Sequence, residues 1–235
     1  LAITLLLRDL LATQPKWIVS GAAAALVCTL GVLTRLQLAV WSSTEALYTH
    51  AVSHSTNNWA MCFLLGGEFE RQSEQATTDI DRRALLERAT PLFKQAADIR
   101  DHEPKVIFRY SNNLMQLDRY PEMIIQLRRA LAIDPDHVDS LNNLAYFLAV
   151  LPDPKLRNPS EALAMSEHAA HLTKRDDPNV LDTLATVYAT LGRMDDAVRV
   201  AEEARDHAAG KGLTADAQRL SNLVLQLRSG KVSPN

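Results

Sequence analysis

The feature that most constrains this chain is a recurrence, at an interval of about 34 residues, of bulky and small side chains in a fixed order. In the stretch that begins at Pro178, Leu181, Leu184 and Tyr188 are bulky, Ala185, Ala197, Ala201 and Ala204 are small, and Gly192 stands between the two halves. The 34 residues from Pro104 to His137 follow the same order with Ile107, Tyr110, Ser111, Leu114, Met123, Leu127, Ala130 and Pro135. Spacings of three and four put the bulky residues on one helical face, and small residues at the crossings let two helices approach closely. A unit this short cannot bury its apolar face alone, so neighbouring units must stack.

The order resembles the tetratricopeptide repeat, which places bulky residues near positions 4, 7 and 11, small ones at 8 and 20, a large apolar residue at 24, alanine at 27 and proline at 32. A further unit opens at Val138, with Leu141, Leu144, Ala145 and Leu148 on its first helix and Ala162, Ser166 and Ala169 on its second; the loop LPDPKLRNP between them is about five residues longer than the pattern. Trp59 to Asp101 reads as a stretched copy, with Cys62, Leu65, Gly66 and Phe69 on one helix and Ala89, Phe93 and Ala96 on the other. About eleven extra polar residues around Ser73 to Arg82 separate these halves, predicting a longer helix or loop there. Ala215 to Leu227 is amphipathic and precedes a polar tail, as a helix capping the last repeat should. Only 8 Gly, 10 Pro and 6% aromatic residues favour helices over a sandwich or barrel.

The expected fold is therefore all-α: an N-terminal transmembrane helix, then a tetratricopeptide α-solenoid of about four helical hairpins, then a C-terminal capping helix. The expected divisions are 1–16 as the end of a preceding membrane segment and a loop, 17–41 as the membrane helix, and 42–214 as the repeats, at approximately 42–103, 104–137, 138–177 and 178–214. Residues 215–228 form the cap and 229–235 the tail.

From Trp17 to Thr34 run 18 residues without a charge, bounded by Lys16 and Arg35. As a helix this stretch is roughly 27 Å long, close to the hydrocarbon thickness of a bilayer. Trp17 and Trp41 fall where headgroups favour indole rings. Arg8 and Lys16 before the span, against Arg35 after it, place the N-terminal side in the cytoplasm and the repeats outside it. The opening run LAITLLL has no basic leader, so it reads as the tail of an earlier span in a longer chain.

Residues of the first helices that stay out of the core, near positions 2, 5, 6, 9 and 12, line the concave face of such a stack. In register these are Lys105, Asn112, Asn142, Asn143, Tyr146, Asp182 and Thr186, which could hold an extended peptide by amide contacts to its backbone. Protein or peptide partners are expected in this groove, and the membrane through residues 17–41. His50 with His54, and His168 with His171, have helical spacing but no third ligand in sequence, so they read as surface or packing residues. The acid pairs Asp195–Asp196 and Glu202–Glu203 read as solvated helix faces and first turns. No catalytic residue, cofactor or metal is expected, and Cys28 and Cys62 read as free thiols. A net charge of −3 with no basic aromatic-interleaved run argues against nucleic acid.

The segment QLAVWSSTEALYTHAVSHSTNNWAMCFLLG, residues 37–66, resembles the junction between the last membrane helix and the first repeat of the transmembrane and tetratricopeptide-repeat proteins. The matching residues are Gln37, Trp41, Ser43, Leu47, His50, Ala51, Thr56, Asn57, Asn58 and Gly66. The resemblance implies that this chain is the non-catalytic C-terminal region of a polytopic, protein O-mannosyltransferase-like glycosyltransferase. Its repeats would then face the periplasm from the bacterial inner membrane and present or recruit acceptor proteins. Two alternatives stand beside it: a single-pass scaffold for envelope assembly with no enzyme attached, and a direct acceptor-binding region of an active transferase.

Overall fold

The computed structural model describes residues 15–229. The expected end of a preceding membrane segment before Pro15, with Arg8, and the tail beyond Ser229 lie outside these residues. The described residues form eleven α-helices and one 3-10 turn. Contacts divide the chain into two compact units after Met61.

The first unit holds α1 (Lys16–Val40) and α2 (Thr44–Ser53). Among the described residues α1 is the one helix long and apolar enough to cross a membrane, and none of its residues is buried. Its two threonines return their hydroxyls to their own helix, Thr29 to the Ala25 carbonyl and Thr34 to the Leu30 carbonyl, each at 2.8 Å. Such bonds leave no side-chain donor unmet in an apolar solvent. Ser43 starts α2 by accepting the Ala46 N–H at 3.1 Å.

The second unit comprises α3 (Trp59–Glu74), α4 (Asp79–Ile99), α5 (Pro104–Gln116), α6 (Tyr120–Ile133), α7 (Val138–Val150), α8 (Pro159–Leu172), α9 (Pro178–Thr190), α10 (Met194–Gly210) and α11 (Thr214–Arg228). Proline opens α5, α8 and α9 in their first turn, where its missing N–H costs nothing. Asn158 and Asp177 cap the latter two by accepting N–H groups of Glu161 and Asn179. Helices pair in sequence order: α5 with α6, α7 with α8, α9 with α10, and α11 against α10.

The turns inside the α5–α6 and α9–α10 hairpins share one closure. Arg119 N–H donates to the Leu114 carbonyl, and Arg193 N–H to the Tyr188 carbonyl, both at 2.9 Å. This six-to-one bond needs a left-handed residue just past the helix. Gly192 supplies it at φ 74°, and Asp118 occupies the same place at φ 59°.

The small residues do what close crossings require: Ala130, Ala185 and Ala197 are all completely buried. Gly66 goes further, because a Cβ there would stand 3.0 Å from the Phe93 ring. Two sequence irregularities are absorbed without breaking the stack. The polar insertion near Ser73 is mostly helix, with a short turn at 75–78, and Thr78 caps α4 by accepting the Asp81 N–H, with Asp79 and Asp81 in the first turn. The long loop after α7 folds into a 3-10 turn at Pro154–Leu156. Its ends are joined by Asn158 N–H donating to the Leu148 carbonyl at 2.8 Å, so α7 and α8 stay paired.

Candidate functional site

Three of the hairpins' first helices, α5, α7 and α9, carry the residues expected to line a groove. Asn112 on α5 and Asn143 on α7 are brought together: the Asn143 Nδ2 donates to the Asn112 Oδ1 at 3.2 Å. Beside them Asn142 is half-buried, and its Oδ1 is buried without a hydrogen-bond partner among the described residues. Tyr146, one turn on from Asn142, is 40% exposed and stands edge-on to Phe147, ring centres 5.3 Å apart. Phe147 in turn meets Tyr120 at 5.7 Å, so Tyr146 rests on a fixed aromatic support.

The remaining expected residues are placed differently. Lys105 is exposed in the first turn of α5, and Thr186 is half-buried on α9. Asp182 accepts from Arg219 of the capping helix at 2.5 Å, and Arg219 also lies 3.7 Å from Asp216. The bond from Asp182 raises the pKa of Arg219, partial burial opposing it. That carboxylate fastens the cap to α9.

Sequence reasoning passed over a charged cluster on the same helices. Glu70 on α3 is 5% exposed, 2.5 Å from Arg109 on α5, and accepts from Gln116 Nε2 at 3.3 Å. Burial pushes the Glu70 carboxyl above its ordinary range, while the Arg109 charge and hydrogen bond pull it back. Glu70 and Arg109 fall near positions 12 and 6 of adjacent repeats, so their opposite charges at groove positions were the available signal. The buried Asn113 was also missed; with Thr90 and the Leu86 carbonyl it joins α5 to α4.

The histidine pairs do not converge on a common point. His50 and His54 stack with ring centres 4.1 Å apart, and the His54 Nδ1 lies 2.9 Å from the His50 carbonyl oxygen. His168 turns instead to Asp136, at 3.0 Å. Among the described residues no three His, Cys, Asp or Glu side chains are grouped to hold a metal ion.

No protein-family model matches the chain, and no curated protein matches it. Solved structures do. One of the protein MamA superposes with a TM-score of 0.58 at 15% identity, covering 82% of this chain and 95% of that one. YrrB, described as a tetratricopeptide-repeat protein with an unusual peptide-binding site, gives 0.56 at 13% identity over 80% and 88%. PilW, described as a widely conserved type IV pilus biogenesis factor, gives 0.51 at 16% identity over 74% and 80%. Likeness at this identity speaks to fold, and with the helix pairing and buried alanines above it makes the chain an all-α solenoid of tetratricopeptide type, with one long apolar helix before the repeats.

Proposed function

We propose that the chain is a membrane-anchored interaction module whose first-helix face holds an extended segment of a partner protein. The observation that carries this reading is the Asn142 acceptor, buried and unpaired among the described residues beside the Asn112–Asn143 bond and the exposed Tyr146 ring. An unmet buried carbonyl is costly, and turning the half-buried Asn142 amide outward to a peptide N–H laid across α7 would satisfy it. Amide contacts of this kind hold a backbone with little demand on sequence, while Tyr146 offers a flat apolar surface to one side chain. Lys105 and Thr186 extend the same strip along α5 and α9, with Asp182 at the end that the cap helix closes.

Residues 17–41 anchor the module in the inner membrane, and the charge balance about that span supports a periplasmic side for the repeats, 42–214, and the cap at 215–228. The junction residues Gln37 to Gly66 support attachment to a protein O-mannosyltransferase-like membrane glycosyltransferase. The module would there present acceptor proteins without contributing catalytic residues. Thiol labelling of single cysteines from either side of the membrane tests the orientation. Residues after the span that label only from the cytoplasm would reverse it.

The groove is tested by placing a benzophenone amino acid at position 146 in membrane-embedded protein. Adducts should form after irradiation, depend on Asn142 and Asn143, and be absent when the probe replaces Ile125 on α6, which is 60% exposed. Adducts at position 125 alone would refute the reading.

A further inference from the structure

A carboxylate leaves water at a cost unless a cation and hydrogen bonds replace its hydration. Glu70 meets that condition through Arg109 and Gln116, yet a well-packed apolar pair would join α3 to α5 at least as well. What the pair achieves is orientation. Arg109 keeps 45% of its side chain exposed, and its guanidinium carbon lies 5.9 Å from the Phe93 ring centre. A guanidinium has five donors in a rigid fork, and one carboxylate engages at most two of them.

We infer that Arg109, held in place by Glu70, is a subsite for an aspartate or glutamate side chain of the bound segment. The inference rests on the peptide-groove reading above and supplies its specificity. Arg109 and Asn112 are three residues apart on α5 and share a face. They are separated by about 4.5 Å along the axis, a distance the stem of an acidic side chain covers. A backbone resting on the Asn112–Asn143 amides therefore delivers such a side chain to the guanidinium. A terminal carboxylate has no stem, and engaging Arg109 would draw the backbone itself off the Asn112–Asn143 amides. At the far end of the face, the Arg219 cation is already answered by Asp182 and Asp216, so the anion preference is local to α5.

The test uses the whole chain in lipid nanodiscs and three pools of fluorescent randomised dodecapeptides. One is C-terminally amidated with a fixed central glutamate, one is amidated with glutamine there, and one has the glutamine with a free C-terminus. The glutamate pool should bind about tenfold more tightly than the amidated glutamine pool, with the preference shrinking as salt rises. Arg109→Gln should erase the preference, and the shape-preserving Glu70→Gln should narrow it. Equal binding of both amidated pools overturns the subsite and leaves the groove standing. Tightest binding by the free C-terminus overturns it in favour of end recognition. No binding by any pool overturns the groove as well. The wild-type comparison decides among these even where a variant fails to fold.

Discussion

Asn113 is completely buried, and both ends of its amide are engaged. Its Oδ1 accepts from the Thr90 hydroxyl at 2.8 Å, and its Nδ2 donates to the Leu86 carbonyl at 3.1 Å. Asn113→Ala should cost about 1–3 kcal/mol, because the Thr90 hydroxyl and the Leu86 carbonyl each lose a buried hydrogen bond and keep the 3.0 Å one between them. A chemical denaturation midpoint that does not move would show that water or a side-chain shift replaces the amide. This residue was invisible in the sequence because a polar residue between two turns of an amphipathic helix reads as surface. Gly192 was legible for the opposite reason, since its residue type announces the left-handed turn it makes. The same backbone shape at Asp118, Lys174 and Arg175 was not, because such residues sit there only when the surrounding hairpin imposes it.

Helices in this fold are held by crossings and by ties from one hairpin to the next. Ala185 is completely buried within the core shared by α8, α9, α10 and α11. Ala185→Trp should destabilise by about 3 kcal/mol or more through overpacking, read as a fall in melting temperature; an unchanged value would put the residue outside the crossing. Arg175, in the turn between α8 and α9, donates twice to Glu203 of α10, at 2.8 and 2.5 Å. These bonds hold the Glu203 carboxyl below its ordinary range against partial burial. Its stabilising contribution is therefore present above the unfolded value of about 4.3 and disappears as pH falls through the lower folded value. Both side chains are partly exposed, so the effect is below about 1 kcal/mol. Glu203→Gln should flatten the acid limb of the stability–pH profile, and a limb as steep as wild type would assign it to other carboxylates. Element by element the sequence was readable where small residues recur, from α5 to α10. It was ambiguous at the polar insertion near Ser73, where capping by Thr78 and the length of α4 decided for helix.

For the whole molecule, the repeat period carried the architecture, since stacking is the one way such units bury their apolar faces. The candidate site was half legible. Register alone put Asn112, Asn142, Asn143 and Tyr146 on the first helices, but contacts between repeats decide which of those side chains are committed. Asp182 turned out to be fastened to Arg219, and Arg109 to be oriented by Glu70. Pairings across 37 or 39 positions of sequence leave no local trace, so no single-repeat reading could find them. In the proposed function the first-helix face, and not the second-helix face, receives the partner. Hydrogen–deuterium exchange of the whole chain in nanodiscs, with and without the amidated glutamate pool, measures this directly. Slowed exchange confined to α5, α7, α9 and the facing part of α3 is the predicted result, whereas protection centred on α6, α8 or α10 would contradict it.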